Sequence, residues 1–514
     1  MTTNTLSLTR RGFLQGAASA AVAHLAGSSP ILAAAATPRR PNVVFILTDD
    51  QDFNTLGCFG GKVLTPHIDR LAKEGVRFTR AYAVSSICTP SRYTCLTGKY
   101  ASRSEHPPFL RACPPGTPAN VAFNVAIVPE EPNLAQWLKN AGYATGFVGK
   151  WHTGGPGMLP CPRDGKLDDP KVAEILATNH ERLCGYIRSC GFDYAASVYR
   201  GNLADHKLDA LDVHNPEWIT QGALDFIQQH KDRPFFLHLC TTLHHSPHPV
   251  RSLRGDWRVT PAGLLKEPLT SQPSRQSVFQ RVREAGFPEN TAHCTWLDDC
   301  VGAVVQKLEA LGLADNTLIV YFSDNNVAGG KATCYDGGAH TPAFMYWKGR
   351  LAAGTTCDAL VQNTDFAPTI LDACQVPLRP ELKLDGDTLL PLAQGRTAPW
   401  RDTALLEVGH SRAVVHGRWK YIAVRYPAPL QKRIDDGTLG RPPYHGDTTF
   451  DLHAVAARAH PAYFDRDQLY DLEKDPLEKN NLAALPEHAA VLAEMKARLK
   501  ERLAAFPRPF GEFR

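Results

Sequence analysis

Asn42-Val43-Val44-Phe45-Ile46-Leu47-Thr48 is an unbroken apolar run of strand length, and it stops abruptly on Asp49-Asp50. A run without polar alternation is the pattern of a strand buried on both faces, as in a parallel sheet. Downstream, Thr65-Pro66 opens a helix with Ile68, Leu71 and Ala72 on its apolar face, and Gly75 closes it. The same grammar then recurs three times. Residues 133–140 read as a helix and 144–148 as a strand running into Gly149-Lys150-Trp151-His152. Residues 219–230 read as a helix and 234–240 as a strand leading to His244-His245-Ser246-Pro247-His248. Residues 296–311 form a long amphipathic pattern, and 317–322 a strand ending in Ser323-Asp324-Asn325-Asn326. This alternation predicts an α/β fold, a large mostly parallel central sheet flanked by helices. Ligands of such sheets bind beyond the carboxyl ends of the strands. Four apolar strands each deliver charged or imidazole groups at that end, which predicts one shared pocket.

After about residue 392 the pattern changes. Residues 412–422 read as two short strands joined by a turn at His416-Gly417, and 487–504 as a final helix. These predict a smaller C-terminal α+β domain, an antiparallel sheet plus a helix. The expected organisation is therefore residues 1–36, 37–392 and 393–514. Two segments, 247–288 and 426–465, are rich in Pro, Arg and His with little periodicity, and read as rim loops.

The chain has 514 residues and a net charge of +4 from 56 basic and 52 acidic residues. That near balance, without a basic run, excludes a nucleic-acid partner. Ser7-Leu8-Thr9-Arg10-Arg11-Gly12-Phe13-Leu14 has the form of a twin-arginine export signal, followed by an Ala/Gly-rich segment and small residues at Ala33 to Ala36. The segment is too polar for a membrane anchor, which needs about 20 strongly apolar residues. The expectation is a cleaved signal and a soluble periplasmic or secreted protein. Thirteen cysteines include no Cys-x-x-Cys pair, which argues against a zinc or redox framework. Cys184 with Cys190 and Cys294 with Cys300 have spacings that permit pairing; mostly free, buried thiols are expected.

Cys88-Thr89-Pro90-Ser91-Arg92-Tyr93-Thr94-Cys95-Leu96-Thr97-Gly98 reads as a reactive side chain at the mouth of a helix. Pro90 suits the first turn and Gly98 the C-terminal stop. Free N–H groups and Arg92 favour an anion beside residue 88, although a small buried thiol is the commoner fate of a lone Cys. Asp49, Asp50, Asp324 and Asn325 are hard oxygen donors, and three converging carboxylates need a compensating cation. Without Cys or His among them they favour Ca²⁺ or Mg²⁺ over zinc, although an isolated Asp49-Asp50 pair more commonly just caps the following turn. Lys150, His152, His245 and Lys331 are candidates for binding an anionic group and moving protons. A zinc pair made by His244 and His248 would need helical spacing that Pro247 and Pro249 disfavour.

The pattern Cys-x-Pro-Ser-Arg-x-x-x-Leu-Thr-Gly at Cys88 resembles that of the type I sulfatases of the alkaline phosphatase-like superfamily. Gly149-Lys150-Trp151-His152, Gly330-Lys331-Ala332-Thr333 and the segment from Tyr335 to Pro342 resemble further motifs of that family. Thr153, Asn326 and His340 depart from it, standing where Leu, Gly and Arg are usual. The resemblance implies that a formylglycine-generating maturation enzyme converts Cys88 to formylglycine, which hydrates to a geminal diol. It implies that Asp49, Asp50, Asp324 and Asn325 hold one Ca²⁺ together with residue 88, and that Arg92 and Lys150 serve the charged site. One hydroxyl attacks sulfur, His245 with Lys331 protonates the departing alcohol, and His152 takes the proton of the second hydroxyl. His248 is the alternative to His245. The implied activity is sulfuric ester hydrolysis, on a sulfated carbohydrate if the two basic inserts line the pocket rim. A phosphonate or phosphate ester hydrolase of the same superfamily is a second reading. A non-catalytic glycan-binding protein, with Cys88 unmodified, is a third.

Overall fold

A computed structural model describes residues 40–439 and 451–513; the export-signal segment lies outside them, as does part of the second predicted insert. The central sheet has eight strands: β1 Asn42–Thr48, β2 Val76–Phe78, β3 Ala144–Lys150, β4 Tyr194–Tyr199, β5 Phe235–Cys240, β6 Thr317–Ser323, β7 Ala343–Tyr346 and β8 Thr355–Cys357. Their spatial order is β8-β2-β7-β6-β1-β5-β3-β4. Only β7 runs antiparallel to its neighbours, so the mostly parallel sheet expected from the alternation is present.

β1 lies at the centre, in register with β5 (Phe45 opposite His238) and with β6 (Phe45 opposite Val320). Its residues alternate between two cores. Val43, Phe45 and Leu47 face one, with Phe147 and Phe236. Val44 and Ile46 face the other, with Leu237, Leu239, Ile319 and Tyr321. Both faces are thus apolar, which is why the sequence shows a continuous run. Helices cover each face; those that matter below are α1 Cys88–Thr97, α2 Pro216–Gln229, α3 Arg275–Glu284 and α4 Ala292–Ala310. The last begins four residues earlier than the periodicity predicts, because its first turn carries His and Cys rather than large apolar residues.

Four antiparallel strands follow: β9 Thr403–Val408, β10 Ser411–His416, β11 Trp419–Val424 and β12 Asp467–Asp471. One face packs Leu405, Val414, Tyr421 and Leu469 against Met495, Leu499 and Leu503 of α5, Ala489–Ala504. The other packs Leu406, Val415 and Ile422 against Tyr82, Ile87 and Cys334. The second sheet therefore braces the segment entering Cys88, and Ser85 Oγ donates to the Glu407 carbonyl across that junction. No described helix is long and apolar enough to cross a membrane.

The two predicted rim loops are corrected. Residues 247–288 contain the short helix Pro249–Leu253 and α3, and the described part of 426–465 contains helices Ala428–Asp435 and Asp451–Ala459. In α3 only Val278 and Val282 are buried, one turn apart, too sparse a stripe to read as periodicity. Charge supplies the rest: Arg275 pairs with Glu217 and Arg281 with the buried Asp299. Arg254, Arg258 and Arg283 also form ion pairs, with Glu289, Asp256 and Glu289. Most of the basic character of this insert is thus engaged within the protein. The two suggested cysteine pairings do not occur, since all thirteen cysteines are free. Cys294 and Cys300 stand six residues apart on one helix, about 240° around its axis, and face different ways.

Candidate active site

The four strand ends meet as the sequence predicts. β6, β1, β5 and β3 are adjacent and parallel, so Asp324-Asn325, Asp49-Asp50, His245 and Lys150 emerge from one edge. Cys88 enters from the side as the first residue of α1, after Ile87 in extended conformation. Gly98, at φ 66°, ends the helix and donates to the Thr94 carbonyl at 2.8 Å.

Three carboxylates and three cations interlock around Cys88. Lys150 Nζ lies 2.6 Å from Asp49 Oδ2 and 3.6 Å from Cys88 Sγ, and Sγ lies 3.5 Å from Asp49 Oδ1. Arg92 Nη2 reaches Asp324 Oδ2 at 2.7 Å and Asp49 Oδ1 at 3.3 Å, while Nη1 donates to the Lys150 carbonyl. Lys331 Nζ lies 2.6 Å from Asp50 Oδ2. All seven residues are buried. The formal charges of the three acids and three bases cancel, so a divalent cation added among them leaves the pocket net positive toward an anionic ester.

The donor set fits such a cation. Asp49, Asp50, Cys88 and Asp324 place potential ligand atoms within 4.8 Å of one another. Asn325 Nδ2 donates to Asp50 Oδ1 at 2.7 Å, which leaves Asn325 Oδ1 buried without a hydrogen-bond partner. An orphaned buried acceptor beside three carboxylates is what a hard cation satisfies.

The environment separates the acids. Burial would raise Asp49, but Lys150 foremost, then His245, Arg92 and Lys331, hold it well below the usual range. At Asp324 burial prevails over Arg92 and pushes the carboxyl up to about 6. Burial, with Asp324 next, pushes the Cys88 thiol well above its ordinary value. Activated cysteine nucleophiles are shifted the other way, so this environment works against a thiolate at Cys88.

Backbone strain collects at the same edge. Asp50 and His152 adopt φ of 57° and 51°, left-handed conformations that cost a non-glycine residue on the order of 1 kcal/mol or more. Gly149 has φ 91°, and a Cβ there would stand 1.7 Å from the Cys240 carbonyl oxygen. Only glycine lets β3 approach β5 this closely while turning to deliver Lys150 and His152.

His245 Nε2 lies 3.7 Å from Asp50 Oδ2, whereas His248 caps the helix Pro249–Leu253 and is exposed. Of the two, His245 faces the cage. The ring of His152 leans on Phe123, with Nδ1 buried and lacking a hydrogen-bond partner. Sequence reading missed Asn202, whose Oδ1 accepts from Lys150 Nζ at 2.7 Å; one Asn in a polar loop carries no pattern. His340 Nε2–H donates to the Thr79 carbonyl at 2.9 Å, and the ring stacks on Tyr82. Asn326 Nδ2 donates to the His340 carbonyl. His340 and Asn326, two of the three departures from the family pattern, thus have structural partners. His244, set aside as half of a local zinc pair, instead meets His293 of α4.

A cavity of about 800 Å³ opens beside the cage, from Thr89 and His152 to Phe123, His180, Arg200 and Lys207. Its volume falls in the range of small-molecule binding sites.

The architecture, a mixed sheet with catalytic-type groups at its carboxyl edge and an antiparallel C-terminal sheet, is that of the alkaline phosphatase-like hydrolases. A family model described as Sulfatase matches residues 41–376, and one described as N-sulphoglucosamine sulphohydrolase, C-terminal, matches 330–424. The chain belongs to the sulfatase family and is a sulfuric ester hydrolase. It is 27% identical to the N-acetylgalactosamine-6-O-sulfatase of Bacteroides thetaiotaomicron, over 90% of this chain and 94% of the relative. A solved structure in complex with its substrate D-glucosamine-2-N,6-O-disulfate superposes with a TM-score of 0.59 at 21% identity, covering 91% and 98% of the two chains. The phosphonate monoester hydrolase of Agrobacterium radiobacter superposes at 0.56 and 21%, covering 90% and 96%.

Proposed function

We propose that this enzyme removes sulfate from a sulfated saccharide, using formylglycine made from Cys88 and one Ca²⁺ held by Asp49, Asp50, Asp324 and Asn325. The observation that carries the reading is the buried, charge-balanced cage around Cys88, with an orphaned Asn325 oxygen in it. Hydrated formylglycine at position 88 would supply two hydroxyls on one carbon, and calcium would supply fixed positive charge for the anionic group.

The chain's own residues do the remainder. Lys150 and Arg92 place two charges beside residue 88, where negative charge gathers. Lys331, whose proton is held firmly by Asp50 against the effect of burial, carries the proton that the departing alcohol needs. Burial foremost holds His245 below its ordinary value, and it acts on the leaving oxygen alongside Lys331. Burial, then Lys150 and Arg92, hold His152 well below its usual range, which keeps its uncharged form, and its buried Nδ1 without a hydrogen-bond partner is the atom assigned to take the second hydroxyl's proton. His245→Ala is expected to lower kcat by about 10²–10⁴, and His248→Ala to leave it within about threefold. Equal losses would reverse the assignment.

The sulfated-saccharide reading is supported by the cavity, with Arg200 and Lys207 for anions and Phe123 for a sugar face, and by the substrate named for the Bacteroides relative. The fold is shared with a phosphonate hydrolase, so rates on paired sulfate and phosphodiester substrates decide between those chemistries. Across defined substrates, sulfated saccharides are expected to exceed simple aryl sulfates, with kcat/KM falling as salt rises. Equal rates without a salt effect would sink the saccharide assignment.

The same reading places maturation before folding is complete, since every residue of α1 is buried and a modifying enzyme must reach Cys88. Export of the folded protein to the periplasm through Arg10-Arg11 accords with that order. Replacing both arginines with lysine is expected to retain the enzyme inside the cell; undiminished export in a fractionation assay would refute this route.

A further inference from the structure

A second set of ligating atoms gathers where the loop after β5 meets the first turn of α4. His244 Nδ1 lies 2.5 Å from His293 Nδ1, and Cys294 Sγ lies 3.7 Å from that same nitrogen. The three atoms all fall within 4.8 Å of one another. Cys294 is buried, His244 and His293 are half-buried, and the exposed His248 stands over the group with its ring 5.3 Å from that of His293.

Its chemistry is unlike that of the oxygen cage. Two imidazoles and a thiol are borderline-to-soft donors, which select zinc-class ions and reject calcium. We propose that His244, His293 and Cys294 form a three-ligand site for a zinc-class divalent ion, with the fourth position facing His248 and solvent. Zinc takes nitrogen ligands at about 2.0–2.1 Å and thiolate at about 2.3 Å, so two such nitrogens sit about 3.4 Å apart. The histidine rings need separate by only about 1 Å to accept it.

Protons balance simply. The Cys294 thiol loses its proton to solvent, and both imidazoles carry theirs on Nε2, leaving Nδ1 to the metal. His244 Nε2 lies 3.3 Å from the Gln51 side-chain amide. The other amide atom of Gln51 faces the hydroxyls of Thr48 and Tyr321 at 2.8 and 2.6 Å. Hydroxyls accept as well as donate, so the amide turned over presents its oxygen to His244 Nε2–H. That outer contact is the one that orients metal-bound histidines. His244 precedes His245, and its backbone N–H donates to the Asp49 carbonyl. An ion here ties the loop carrying His245 to the start of α4.

A hydrogen-bonded histidine pair over a buried thiol is the alternative, and cobalt separates the two. With calcium saturating the oxygen cage, metal-depleted full-length enzyme is titrated with Co²⁺. One equivalent is expected to bind with a thiolate-to-cobalt charge-transfer band that persists in Cys88→Ala and vanishes in Cys294→Ser. No band in the wild type, a band surviving Cys294→Ser, or one lost in Cys88→Ala overturns the proposal. A second readout guards against a misfolded variant. Zinc is expected to raise the melting temperature of the wild type and not that of His293→Gln; an equal rise in both also overturns it.

Discussion

Cys88→Ala is expected to lower kcat by about ten-thousand-fold or more, the scale on which removing a nucleophile acts, with the fold retained. The side chain is small and buried, so its loss leaves only a minor cavity, costing about 1 kcal/mol. The informative comparison is with wild-type protein made without maturation. Its thiol, raised by burial and then by Asp324, is expected to be as inactive as the alanine. Activity should therefore track the fraction of the Cys88 peptide carrying the aldehyde, read by mass spectrometry, and not the amount of protein. Full activity with an intact thiol would remove formylglycine from the mechanism and leave the cysteine itself as the reacting group.

The edge of the sheet was legible because its strands are buried on both faces. That burial forces continuous apolar runs, and each run ends sharply where the first polar residue meets the pocket. Asp49-Asp50 and Asp324-Asn325 stand out for that reason, although 275 residues separate Asp50 from the Asn325 that bonds it. The family resemblance then supplied the relation between Cys88 and those ends that spacing alone does not give. Asn202 and the His293–Cys294 pair stayed hidden for a different reason. They meet their partners through tertiary contacts between a loop and another element, with no repeat or neighbour in the chain to mark them. The helices of the 247–288 insert were hidden because ion pairs such as Arg281 with Asp299 hold them where periodicity is thin. The basic composition that looked like a substrate rim is mostly internal charge compensation.

Asp49→Asn is the substitution expected to separate the stability of the cage from its chemistry. Asp49 holds Lys150 at 2.6 Å and Arg92 at 3.3 Å in full burial. Without its charge two acids face three buried cations, and breaking a buried pair in this way costs about 3–5 kcal/mol. The melting temperature of the calcium-free protein should fall accordingly. The acid limb should change as well. Burial alone would raise the Asp49 pKa, but Lys150 and its neighbours depress it. Its contribution to stability is therefore present above about pH 4, the ordinary carboxylate value, and is lost as pH falls through the depressed folded-state value. The variant lacks that contribution, so its melting temperature should decline less steeply from neutral pH into acid than the wild type's. Calcium is the second readout: with one carboxylate fewer, a given concentration should raise the melting temperature less than in wild type. Activity should fall by about 10²–10³ through misplacement of Lys150 and loss of a metal ligand. Asn325→Asp gives the opposite test. A fourth carboxylate makes the calcium-free cage net negative, so calcium should stabilise that variant more than the wild type. A wild-type response to calcium in both variants would show that Asp49 and Asn325 do not hold the ion.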